Sequence, residues 1–160
     1  MKHKLPRLCH LLAVCLFVGS IPTHIILGEV AQTVSDPYRF AIYHKAKLIL
    51  TIGLTASALA TAVMSGLWGM WRHRDYLRAG WFRLKLIIVS LIAVNGGIIL
   101  TPTARRMADM ALTAHATGQA LDPAFQGLLI QEAIAGGLNL VLIVVVSLAV
   151  YRPTLRRKVA

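Results

Sequence analysis

The sequence predicts an all-α, polytopic membrane four-helix bundle, one domain over residues 1–160, with both termini cytoplasmic. Three observations lead there. Of 160 residues, 57% are apolar and 14% charged, and mean hydropathy is +0.67. Soluble domains average about 45–50% apolar and about 25% charged, so this chain has too little polar surface to coat a water-soluble globule. The apolar residues gather in four stretches, and the basic residues cluster at their ends. A soluble enzyme, a disordered tail and a disulfide scaffold are excluded, and the length allows one domain.

The stretches are Leu8–Leu27, Leu48–Met70, Phe82–Leu100 and Leu128–Val150. Each is near the roughly 20 residues a helix needs to cross about 30 Å of hydrocarbon. They lack the period-two alternation of barrel strands, and a helix satisfies its own backbone groups inside lipid. With their flanks they predict helices over about 8–30, 37–71, 81–102 and 123–151. Asp36-Pro37 and Asp122-Pro123 each read as an N-cap followed by proline at the first helical position, starting the second and fourth helices. Residues Ala104–Ala120 read as a short surface helix continuing the third beyond Pro102. The first stretch is longer than a signal-peptide core of about 7–15 residues and no A-x-A site follows, so it is expected to be retained. Leu12-Ala13-Val14-Cys15 resembles a lipoprotein box only faintly.

Twelve of the 17 Lys and Arg fall on one predicted side: Lys2, Lys4, Arg7, Arg72, Arg74, Arg78, Arg83, Lys85, Arg152, Arg156, Arg157 and Lys158. The other five are Arg39, Lys45, Lys47, Arg105 and Arg106. The positive-inside rule then places both termini in the cytoplasm. Trp68, Trp71, Tyr76, Trp81 and Tyr151 mark the inner interface, and Tyr38, Phe40 and Tyr43 the outer. The formal net charge of +11 thus belongs to topology; nucleic acid is not an expected partner. The partner implied is the lipid bilayer. Gly53, Ser57, Thr61, Ser65 and Gly69, each four apart, form a small-residue stripe suited to helix packing, to a homo-oligomer or to a membrane partner.

Ionisable groups inside a membrane are costly, so each is a functional candidate. His10 and Lys85 are both placed about one turn inside the cytoplasmic end and share a depth; the structural alternative is a Lys85 that snorkels to the headgroups and a His10 that hydrogen-bonds across a helix pair. His24, His44 and Glu132 form a second set toward the outside, and two imidazoles with a carboxylate suit copper or zinc. Pairing of Glu132 with Lys47, Arg105 or Arg106 is the structural alternative. His24 follows His10 by fourteen residues, which puts both near one helix face. Cys9 and Cys15 are about 120° out of phase, so they cannot bridge, and are expected as small apolar packing.

Two stretches carry a resemblance: His10-Leu11-Leu12-Ala13-Val14 running to Val18-Gly19, and Gly80-Trp81-Phe82-Arg83-Leu84-Lys85-Leu86. They resemble a broad group of four-helix bacterial membrane proteins. It includes flavin-independent protoporphyrinogen oxidases, copper-resistance D-type membrane domains and uncharacterised integral membrane families. Thr101-Pro102-Thr103-Ala104-Arg105-Arg106 looks more like the last of these. The resemblance implies a multi-pass protein of the bacterial cytoplasmic (inner) membrane. It also implies haem b held by a first-helix histidine and by a lysine in a W-x-x-x-K setting of the third, here His10 and Lys85. The activity implied is redox, with protoporphyrinogen as substrate and a membrane electron acceptor. The alternatives are a copper- or zinc-handling or transport protein and a non-catalytic subunit of a membrane complex.

Overall fold

The computed structural model describes residues 5–72 and 80–156, with side chains through residue 148. Among them there is no strand. Four long helices run in alternating directions: α1 (Leu5–Thr33), α2 (Pro37–Arg72), α3 (Gly80–Thr117) and α4 (Ala124–Arg156). All four are long and apolar enough to cross a membrane. Lys2, Lys4, Arg74, Tyr76, Arg78, Arg157 and Lys158 lie outside the described residues, as do the side chains of Tyr151, Arg152 and Arg156.

Both Asp-Pro pairs start helices, α2 with Pro37 as its first residue and α4 one residue later than expected, at Ala124. The Tyr38 N–H donates to Asp36 Oδ1 at 3.2 Å, and the Ala124 N–H to Asp122 Oδ1 at 2.8 Å. Each carboxylate satisfies an orphan donor of the first turn, and proline gives up an N–H that has no helical partner there. α3 ends at Gly118, whose φ of +65° is the left-handed conformation that closes a helix without Cβ strain.

α2 and α3 are not uniform α-helices. Each contains six π-helical residues, Thr51–Ala56 in α2 and Asn95–Leu100 in α3. Pro102 accounts for the second. Its ring crowds the carbonyl four residues back and it has no N–H to donate, so the chain widens ahead of it. The Thr101 N–H and hydroxyl both go to Gly96 O, the hydroxyl at 2.8 Å. In α2 the Thr55 hydroxyl lies 3.3 Å from Leu50 O, likewise five residues back. α3 therefore continues through Pro102 to Thr117 without a break.

These segments divide the packing. Below its π-segment, α2 packs on α1; above it, on α1 and on the upper part of α3. Below its own π-segment α3 packs on α4, and beyond it on α2 and α4. The upper part of α3 is therefore a core element and not the surface helix expected: Thr103, Ala104, Met107, Ala108 and Ala111 are buried. Small residues let that face sit close against α2, while Arg105 and Arg106 point away, exposed.

The α1–α2 seam likewise uses small residues, but not the predicted stripe. Ala58 and Ala62 are buried, and Gly66 leaves room for the His10 ring, whose Cε1 would lie 3.4 Å from a Cβ there. Gly53, Ser57, Thr61 and Gly69 are exposed, one residue out of register with that seam, and Ser65 is half-buried. Cys9 and Cys15 are exposed as well, so they are not packing residues within the chain.

α4 presents one heptad face to the rest: Phe125, Glu132, Asn139 and Val146, with Ala135 and Leu142 beside them. Its lower part closes the apolar centre, where Phe17 of α1, Ala58 of α2 and Ile88 and Ile92 of α3 meet Leu142, Ile143 and Val146.

Candidate functional site

The polar side chains of the interior sort by position relative to that apolar centre. On the side of the termini lie His10, Ser65 and Lys85. On the side of the connections at 34–36 and 118–123 lie Ser20, His24, His44, Lys47, Thr55, Asn95, Glu132 and Asn139. All four helices keep this order, so two polar layers are separated by an apolar one.

At the termini end, His10 Nδ1 is 2.9 Å from Ala62 O and 3.1 Å from Ser65 Oγ. A carbonyl only accepts, so Nδ1 carries the proton and donates. The Ser65 hydroxyl hydrogen is directed to Thr61 O at 2.6 Å, which leaves its oxygen free to accept from His10 as well. In the neutral ring Nε2 then holds a bare lone pair. Lys85 is half-buried, with no hydrogen bond or ion pair to another described residue. His10 is committed to α2, and no hydrogen bond joins it to Lys85.

In the opposite layer, Lys47 Nζ lies 2.7 Å from Glu132 Oε2, joining α2 to α4. The Lys47 side chain is 7% exposed and that of Glu132 19%. Gly28 of α1 makes the space, because a Cβ there would lie 3.2 Å from Nζ. Of the three cations that could have met Glu132, the fold selects the buried one.

His24 follows a different course. Its Nε2 is 2.9 Å from Thr55 Oγ1, Thr55 reaches Ser20 Oγ at 3.0 Å, and Ser20 donates to Phe17 O at 2.7 Å. Because the chain ends on a carbonyl, its hydrogens run one way, and His24 Nε2 is the donor. His10 and His24 both face α2, as their fourteen-residue spacing requires.

His44 is buried, tilted against the Phe40 ring at 4.6 Å and edge-on to Phe125 at 5.1 Å between centroids. Its Nε2 has no hydrogen-bond partner among the described residues. The metal reading needs His24, His44 and Glu132 to turn toward one point. Here His24 is held by Thr55 and Glu132 by Lys47, and no group of three His, Cys, Asp or Glu with metal-binding geometry occurs among the described residues.

Sequence reasoning passed over one feature: Asn95, buried at the start of the α3 π-segment. Its Nδ2 donates to Ala135 O and to Asn139 Oδ1, both at 2.8 Å. The Ala135 carbonyl fixes the orientation of the amide, since only the NH2 can face an acceptor. Asn95 Oδ1 is then buried without a partner among the described residues. Asparagine in an apolar run was the available signal.

No protein-family model, no curated protein and no solved structure matches this chain.

Proposed function

We propose that the chain is a multi-pass protein of the bacterial inner membrane, with both ends cytoplasmic, that binds haem b at its termini end and works in electron transfer. The observation that carries this reading is the His10 ring. Metal-ligating histidines nearly always donate their second ring nitrogen to a carbonyl, carboxylate or water, which fixes ring orientation and raises ligand basicity. His10 has that arrangement, with Nδ1–H on Ala62 O and Nε2 left over. Gly66 leaves room for the ring, because a Cβ there would lie 3.4 Å from Cε1.

Lys85 is the second candidate ligand, from the W-x-x-x-K stretch that opens α3. It must be neutral to ligate. Metal binding is coupled to the release of the ammonium proton. Haem b, when bound, would supply one-electron chemistry, with His10 and Lys85 as the residues that would hold it in a low-dielectric surround. By the oxidase resemblance the electrons come from protoporphyrinogen and pass to a membrane acceptor.

The test is an absorption spectrum of detergent-purified protein from haem-replete cells. Wild type is expected to show a Soret band that His10→Ala abolishes and Lys85→Ala shifts or weakens. A colourless wild-type preparation overturns the reading.

A further inference from the structure

The second polar layer has no part in that reading, and it lies on the far side of the apolar centre from His10. Its groups form a column. Down the α4 face come Phe125, Glu132, Ala135 and Asn139, about 21 Å from first to last at 1.5 Å per residue. His44 packs against the first of these, Lys47 pairs with the second, and Asn95 bonds to the last two. Two buried polar atoms without a partner among the described residues, His44 Nε2 and Asn95 Oδ1, stand at its two ends. Beyond Asn95 the character changes at once to Ile92, Ile88, Phe17, Leu142 and Val146.

A polar atom withdrawn from water with no partner bears its full desolvation cost. Proteins commonly meet that need with internal water, which makes about three hydrogen bonds to groups otherwise unsatisfied. Glu132 is the carboxylate of the column, half-buried where its lysine is buried, so it offers further acceptor sites between the two ends.

We infer that the connection end of the bundle holds a water-filled half-channel, running from His44 past the Lys47–Glu132 pair to Asn95 and sealed beyond it by the Phe17 cluster. Water is its ligand, and protons from the aqueous phase at that end are what it admits to mid-depth. His44 Nε2, the Glu132 carboxylate and Asn95 Oδ1 are the acceptor atoms that face it. The seal explains why such a path does not leak: all four helices contribute apolar side chains below Asn95.

The inference is independent of haem binding and is tested without it. In water-edited solid-state NMR on the isotope-labelled full chain in phosphatidylethanolamine–phosphatidylglycerol bilayers, magnetisation passes from mobile water to nearby protein groups. The Asn95 and Asn139 side-chain amides are expected to build up several-fold faster than the methyls of Ile88 and Ile92. Ala135→Leu, which places a larger side chain in the column, is expected to slow the Asn95 build-up at least twofold. Wild-type Asn95 as slow as Ile92 overturns the inference, whether or not the variant folds. An unchanged rate in a folded Ala135→Leu protein overturns the path along α4.

Discussion

Lys47 and Glu132 lie 85 positions apart in sequence and 2.7 Å apart in the fold, joining the second helix to the fourth where neither is exposed to more than a fifth. A pair so placed loses solvation on both sides, and the Coulomb attraction does little more than offset that loss. Its main effect is to fix which faces of α2 and α4 meet. Removing one partner leaves the other charge uncompensated.

Lys47→Met or Glu132→Leu alone is therefore expected to destabilise the fold by about 3 kcal/mol or more, the range for breaking a buried pair. The double variant should recover most of that. Equilibrium unfolding in mixed micelles, run as a double-mutant cycle, measures the difference. Equal stability of singles and double would show that the pair is not coupled.

Gly28 is expected to act through Lys47. A Cβ at 3.2 Å from Nζ asks the ammonium to shift by a few tenths of an ångström, so Gly28→Ala should cost roughly 1 kcal/mol, the low end for overpacking. In a Lys47→Met background the same substitution should cost measurably less. Additivity of the two changes would mean that they do not share this contact.

Asn95→Leu removes two hydrogen bonds between α3 and α4. Side-chain hydrogen bonds between membrane helices average about 0.6 kcal/mol in measured cycles, so a loss of about 1–2 kcal/mol is expected. Asn139→Leu should lose less, because the Asn95 bond to Ala135 O survives. The order of the two unfolding midpoints checks this.

Thr101→Val is expected to weaken the α3 π-segment by removing the hydroxyl bond to Gly96 O, and Pro102→Ala to remove its cause. In the Pro102→Ala protein a new N–H becomes available to the carbonyl four residues back. Slowed amide exchange over residues 97–102 would register the conversion to regular α-helix; unchanged exchange would point to another origin.

Much of the fold was legible in the sequence. Four apolar stretches of spanning length, two Asp-Pro starts and the common face of His10 and His24 follow from hydropathy and from the 3.6-residue period. What the pattern could not provide is azimuth across a seam. Helix α2 has two small stripes, Gly53 to Gly69 and Ala58 to Gly66, and periodicity marks both without saying which meets α1. The upper part of α3 looked like surface because Arg105 and Arg106 dilute its hydropathy, yet its other face is Ala and Thr and packs closely.

The candidate site divides in the same manner. Ionisable residues in apolar runs were visible at once, but the partner of Glu132 depends on a juxtaposition that only the tertiary fold decides. The spacing of His24, His44 and Glu132 is compatible with a ligand set, while the hydrogen bonds of Thr55 and Lys47 draw two of its members elsewhere.

Each π-turn carries, in effect, one surplus residue, and that surplus rotates everything after it by about 100° relative to everything before it. A single-codon deletion between Asn95 and Leu100 would thus act as a rotary key. It would swing Met107 off α2 into the exposed place of Arg106 and bring the Arg105 guanidinium around to the buried place of Ala104.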